Sequence, residues 1–127
     1  MPVVRIDHIN ITVAPEEIGV IRDFYLHALN LREGARPAFS FPGYWLYANG
    51  QPIVHIAGKP SSSNAAGTGK LNHVALACDD IAAMTARLEQ HGINYRVRDV
   101  PGERLRQIFI TDPAGITLEL NFAINGA

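Results

Sequence analysis

The second half of this 127-residue chain restarts the first. Leu71-Asn72-His73-Val74-Ala75-Leu76 returns to the pattern around His8, and Ile108-Phe109-Ile110 followed by Thr117-Leu118-Glu119-Leu120 returns to the paired apolar runs around His55. His8 and His73 lie 65 positions apart and His55 and Glu119 lie 64 apart, so the halves keep register to within one residue. A repeat of half the chain length implies one supersecondary unit used twice, and neither copy is long enough to bury the apolar face of a sheet alone. The expectation is a single α+β domain over residues 1–127. It divides into module 1 over about 1–58, a connector over 58–70, and module 2 over about 71–127.

Within module 1, Arg5 to Val13 alternates, with Asp7, Ile9, Ile11 and Val13 on one face and Ile6, His8, Asn10 and Thr12 on the other, which predicts a strand. Pro15-Glu16-Glu17 puts a helix-starting proline and two acids at a helix N-terminus, and Ile18, Ile21, Tyr25, Ala28 and Leu29 recur at helical spacing. Asn30 tolerates the left-handed conformation that ends such a helix. Arg32 to Ala57 reads as strands and turns, with an aromatic run from Phe39 to Tyr47 and the hairpin signal Asn49-Gly50 before Ile53-Val54-His55-Ile56.

Gly58 to Lys70 carries no large apolar residue and reads as a connector. In module 2, Asp79-Asp80 opens a helix bearing Ile81, Met84 and Leu88, Gly92 closes it, and Asp112-Pro113-Ala114-Gly115 makes the second hairpin turn. Each module is then βαβββ. Two of them side by side predict a curved mixed sheet around a cup, with the helices on the convex face.

The period-2 rule places His8 with Asn10 and Thr12, His73 with Ala75 and Ala77, and Glu119 with Thr117 and Asn121, each opposite an apolar set. His55 shares its face with Ile53 and Ala57. The repeat thus brings four metal-capable side chains, His8, His55, His73 and Glu119, to the concave side. Three imidazoles and a carboxylate suit one divalent ion, whether Fe, Mn, Ni, Co, Zn or Cu, and open coordination positions would admit a substrate through two adjacent oxygens. His55 fits equally an acid/base role or support of a ligand. Tyr44, Trp45, Tyr47 and Gln107 either line the cup or fill the core, and Arg104 and Arg106 are either pocket cations or solvated charge. His27 and His91 fall on or just after the helices, pointing to solvent.

Eleven Lys and Arg against twelve Asp and Glu leave a net charge of -1, with no basic tract, which excludes a nucleic-acid or anionic-lipid surface. No apolar run approaches the roughly 20 residues of a membrane span, and Met1 to His8 lacks the basic region followed by an apolar run that marks a secretory leader, so none is expected. Cys78 has no partner for an internal disulfide. A cytoplasmic protein with a small-molecule partner is expected.

Asp7-His8-Ile9-Asn10-Ile11-Thr12-Val13, Phe24-Tyr25-Leu26-His27-Ala28-Leu29-Asn30-Leu31, Asn72-His73-Val74-Ala75-Leu76 and Asp112-Pro113-Ala114-Gly115-Ile116-Thr117-Leu118-Glu119-Leu120 resemble the vicinal oxygen chelate superfamily. That group includes glyoxalase I, extradiol ring-cleaving dioxygenases, methylmalonyl-CoA epimerase and fosfomycin- or bleomycin-resistance proteins. The resemblance implies paired βαβββ modules with a metal on their first and last strands.

Against glyoxalase-I-like enzymes, His8, His55, His73 and Glu119 match the four ligand positions, His55 standing where Glu or Gln is usual. Glu119 then matches the metal-bound carboxylate that moves the substrate proton. Thr12 aligns with the arginine that holds glutathione in bacterial glyoxalase I, a departure from glutathione recognition. Against the dioxygenases, His8, His73 and Glu119 form the two-histidine, one-carboxylate triad suited to Fe(II), with His55 as acid/base and Phe109 where those enzymes carry tyrosine. Bleomycin-type binders usually lack the metal set, and fosfomycin resistance needs pocket cations, for which Arg104 and Arg106 are the candidates.

The resemblance also implies a homodimer, with each cup built within one chain or between two. The resulting expectation is a glyoxalase-I-like lyase or isomerase with one divalent metal, acting on a small carbonyl substrate bound through adjacent oxygens. Glu119 and His55 are its catalytic residues, and Asn10, Thr12, Tyr44, Tyr47, Arg106 and Phe109 its pocket. The alternatives are an Fe(II) dioxygenase of a catechol-like substrate and a resistance protein that sequesters a small molecule.

Overall fold

A computed structural model describes residues 5–60, 73–100 and 104–124. Of the connector read over 58–70, only Gly58, Lys59 and Pro60 fall within that range, and Leu71 and Asn72 of the restart also lie outside it. Two compact units make up the described chain, the first from 5–26 and 30–60, the second from 27–29 and the described part of 73–124.

The first unit runs β1 (Ile9–Val13), a single 3-10 turn (Pro15–Glu17), α1 (Ile18–Leu29), β2 (Arg32–Gly34), β3 (Gly43–Ala48) and β4 (Gln51–Gly58). Its four strands form one mixed sheet in the order β1-β4-β3-β2, with β1 parallel to β4 and the other pairs antiparallel. The second unit runs β5 (His73–Cys78), α2 (Ile81–Gln90), β6 (Arg96–Asp99), β7 (Leu105–Thr111) and β8 (Thr117–Ala123). Its order, β5-β8-β7-β6, repeats the first. The βαβββ module is therefore present twice, and each copy closes its hydrogen bonds in its own four-stranded sheet.

Local chemistry sets the element ends. Asn30 caps α1 at φ 57°, and Asn49 (φ 50°) and Gly50 (φ 77°) form the tight β3-β4 turn whose twist matches the flanking strands. The Asp80 side chain accepts from the Ala83 amide at 3.1 Å, satisfying a donor that the start of α2 would leave unpaired. Asp112 accepts from the amides of Ala114 (2.9 Å) and Ile116 (2.8 Å), which folds the β7-β8 turn around a buried carboxylate.

The core follows the two periods. Ile21, Tyr25 and Ala28 of α1 are buried at helical spacing, and Leu46, Val54 and Ile56 are buried on the strands of the first sheet. In the second unit Leu88 of α2, Ile108, Ile110, Leu118, Leu120 and Phe122 are buried. In β8 burial alternates strictly, so Glu119 and Asn121 stand on the opposite face from the core. The structure departs from the sequence pattern at two places. The first strand begins at Ile9, not at Arg5; Ile6 is 79% exposed, so extending the ladder would bury nothing to offset its entropy. A one-residue bulge between Leu46 and Tyr47 shifts the β3-β4 register by one, leaving Ile53 as the extra residue of β4. No helix among the described residues is long and apolar enough to cross a membrane.

Candidate functional site

His8 sits one residue ahead of β1, and its ring stacks on that of His55 at 3.8 Å between centroids and 14° between planes. Trp45 stacks on His55 at 4.0 Å and 9°. Two rings each parallel to one imidazole at that distance must take its two faces, so His55 lies between His8 and Trp45. The ladders explain the grouping: His55 is directly across from Asn10 on β1 and from Trp45 on β3, and residues opposed in a ladder share a face.

Hydrogen bonds fix the tautomers. The Asp7 carboxylate can only accept, so His8 Nδ1 donates to Asp7 Oδ2 at 2.9 Å and the lone pair falls on Nε2, the arrangement in which a carboxylate orients a metal-binding imidazole. That bond, aided by Arg5, holds the Asp7 carboxyl below its ordinary range. In His55 the Pro52 carbonyl accepts from Nε2 at 3.1 Å, so the lone pair is on Nδ1. Burial, then the neighbouring His8, pushes the His55 imidazole below its ordinary pKa, against the opposing pull of Pro52 and Asp7.

In the second unit His73 opens β5 and Glu119 lies in mid-β8, with His73 Nε2 3.5 Å from Glu119 Oε1. The His73 side chain is 41% exposed and that of Glu119 only 15%. Asn121 Nδ2 donates to Glu119 Oε2 at 3.0 Å, and Gln107 Nε2, on a residue only 8% exposed, donates to Asn121 Oδ1 at 3.2 Å. Phe109 stands directly across from Glu119, with the Arg96 guanidinium 4.8 Å over its ring.

The four candidate ligands thus come together as two pairs, His8 with His55 and His73 with Glu119. Among the described residues no group of three or more His, Cys, Asp or Glu is close enough to hold a metal. The donor chemistry of the pairs still suits a divalent ion: an imidazole oriented from behind by a carboxylate, and a second imidazole nitrogen facing a carboxylate that is itself anchored.

The pocket candidates divide. Asn10 and Thr12 are exposed on the His55 side of β1, and Asn10 Nδ2 donates to Thr12 Oγ1 at 2.8 Å. Phe109 is on the Glu119 face. Tyr44, by contrast, is across from the buried Ile56 and carries the α1 residue Arg22 over its ring at 4.5 Å, so it belongs to the helix side. Trp45, directly across from His55, stands where Tyr44 was expected. The Tyr47 hydroxyl donates to the Ala35 carbonyl, fixing its ring over Gly34.

Arg106 is also on the helix side. It shares a face with Ile108 and Ile110, pairs through two nitrogens with Asp99, and lines a cleft with Ile81, Ala82 and Thr85 of α2. The cations on the Glu119 face are instead Arg96 and Arg98, across from Phe109 and Gln107. Sequence reasoning passed over Arg96, Asp7 and the Asn121 contact. The strand parity that placed Glu119 carries the signal for Asn121 and Gln107.

The profile of the Glyoxalase/Bleomycin resistance protein/Dioxygenase superfamily matches residues 5–120, and the chain belongs to that superfamily. Glyoxylase I 4 of Arabidopsis thaliana is 26% identical to it over 118 residues, 87% of this chain and 67% of that protein. A glyoxalase family protein of Bacillus anthracis is similar in structure, with a TM-score of 0.76 at 22% identity over 95% of this chain and 96% of that one. A variant of the genomically encoded fosfomycin resistance protein FosX of Listeria monocytogenes, complexed with Mn(II) and 1S,2S-dihydroxypropylphosphonic acid, gives a TM-score of 0.71 at 16% identity over 95% of this chain and 93% of that one. The last two likenesses speak to the fold.

Proposed function

We propose that the chain is a metal-dependent lyase or isomerase of the glyoxalase-I type, acting on a small carbonyl compound held through two adjacent oxygens. The observation that carries this reading is the Glu119 carboxylate. It is largely shielded, mounted on a central strand, anchored at one oxygen by Asn121, and turned with the other toward His73 Nε2. His8 through Nε2, His73, Glu119 and His55 through Nδ1 are the residues that would hold a divalent ion such as Fe, Mn, Ni, Co or Zn. When bound, the ion supplies Lewis acidity to the two substrate oxygens.

The proton work falls to Glu119. It takes the proton from the carbon beside the carbonyl; the C–H pair forms a C=C bond as the C=O pair moves to oxygen. Returning the proton to the former carbonyl carbon, as the hydroxyl proton passes from the first oxygen to the second, completes an isomerisation with no net oxidation. Phe109, directly across from Glu119, is an apolar neighbour on the same face of the sheet.

Ring cleavage by Fe(II), with His55 as acid/base through Nδ1 while Pro52 accepts from Nε2, is the second reading, and of the two only it consumes oxygen. A sequestering protein would bind its ligand without turnover. Homodimerisation belongs to the same proposal, and sedimentation velocity measures it.

The test is metal analysis of protein purified without chelators, followed by a screen of small vicinal oxo- and hydroxycarbonyls with Mn(II), Co(II), Ni(II), Zn(II) or Fe(II) under argon and under air. Turnover without oxygen, abolished in Glu119→Gln, is expected. Turnover only in air, with a ring-fission product from catechols, would replace the proposal with the dioxygenase. Unchanged activity of Glu119→Gln removes the role assigned to that residue.

A further inference from the structure

In a ladder, the side chains of directly opposed residues share a face, so Gln107 and Asn121 stand together on the Glu119 side of the second sheet. Their hydrogen bonds run in one direction. A carboxylate only accepts, so Asn121 must present its NH₂ to Glu119 Oε2, at 3.0 Å. Its carbonyl oxygen is thereby turned to the other side, where Gln107 Nε2 donates to it at 3.2 Å. Every donor in this chain of amides points toward the carboxylate. A charge-assisted bond of this kind is stronger than one between neutral groups, and the buried Gln107 has little alternative solvent to bond to.

The repeat supplies a comparison inside the molecule. Positions equivalent to Glu119, Asn121 and Gln107 in the first unit are His55, Ala57 and Gly43, and Gly43 is likewise directly across from Ala57. Neither can form such a chain, and a Cβ on Gly43 would run into the Ile56 carbonyl oxygen. The amide chain is therefore not part of what the fold requires. It occurs in the half that carries the carboxylate.

We infer that Asn121 and Gln107 are positioning residues that clamp Glu119 Oε2 and leave Oε1 turned toward His73 for a divalent ion. This rests on the metal-dependent reading proposed above. Gln107 acts only through Asn121.

The experiment is calorimetric titration of metal-free protein with Mn(II), Co(II), Ni(II) or Zn(II), for wild type, Glu119→Gln, Asn121→Ala, Gln107→Leu and the Asn121→Ala/Gln107→Leu double variant, with circular dichroism melting of each apo form. Loss of a residue that orients a ligand weakens metal affinity by about 10- to 100-fold, which is the range expected for Asn121→Ala with little change in apo melting. Gln107→Leu, which keeps the volume, is expected to weaken binding less. The double variant should bind as Asn121→Ala does, because the second amide has nothing left to act on.

Asn121 is half-buried, so its truncation tests the inference even if Gln107→Leu melts early. Metal binding in Asn121→Ala within about twofold of wild type, while Glu119→Gln loses it, overturns the inference alone. So does a double variant whose loss is the product of the two single losses. A wild type that takes up none of these ions removes the metal-dependent reading, and the clamp with it.

Discussion

His55 and Glu119 occupy equivalent positions of the two halves and are held by unlike means. Glu119 is restrained by the Asn121 amide, His55 by rings on both faces and one carbonyl. Enclosure has a pH consequence. Because the folded imidazole has a pKa below its ordinary 6.5, the unfolded chain binds the proton more readily at pH values between the two. The contribution of His55 to stability is then complete above about pH 6.5 and declines as pH falls through that window toward the folded value. The urea midpoint is expected to drop between pH 7.5 and pH 5.5, and His55→Phe, which keeps a ring against Trp45, should show a smaller drop. An equal drop in both would assign the effect elsewhere. Cys78 offers a second check: burial and the nearby Asp79 raise its thiol pKa, so the thiolate is scarce at neutral pH. Alkylation by iodoacetamide at pH 7 should be slow in the folded protein and fast in urea.

At the level of elements, the close approach of β3 to its neighbours rests on Gly43. A methyl group there meets the Ile56 carbonyl and the Arg36 guanidinium, and overpacking of this kind costs about 1–3 kcal/mol. Gly43→Ala is expected to lower the unfolding free energy by that amount in denaturant titration, whereas Gly50→Ala, with open space but a φ of 77°, loses stability through backbone strain alone. Long and well-patterned elements were readable from sequence: α1 from its buried spacing, both hairpins from their turn residues, and β8 from its alternation. The edge strands β2 and β6 were counted in the βαβββ order but not placed, since all of their residues are exposed and no apolar period marks them. Counting back from the Asn49-Gly50 turn would set Tyr44 against His55. The bulge at Leu46 and Tyr47 moves that pairing to Trp45, and a slip of one residue exchanges faces. The Arg106 side, in contrast, was open to inference, because it shares parity with Ile108 and Ile110.

For the whole molecule, the half-chain repeat proved the most informative feature, since it predicted the element order of both units and the face that carries each candidate ligand. What it could not carry was the support around those ligands, which depends on side-chain bonds peculiar to each half. A ligand that binds only the folded state stabilises it by mass action, by about 2.7 kcal/mol at a hundredfold excess over its dissociation constant. Under the metal-dependent reading, saturating Ni(II) or Co(II) should raise the melting temperature of wild type and leave Glu119→Gln nearly unmoved, as differential scanning calorimetry would register. The bulge has one more consequence. By setting Trp45 rather than Tyr44 beside His55, it puts the indole of a chain with a single tryptophan one ring away from His8. Indole emission is quenched by a protonated imidazole in contact with it, so the fluorescence of the unlabelled protein is a direct optical record of the state of His55.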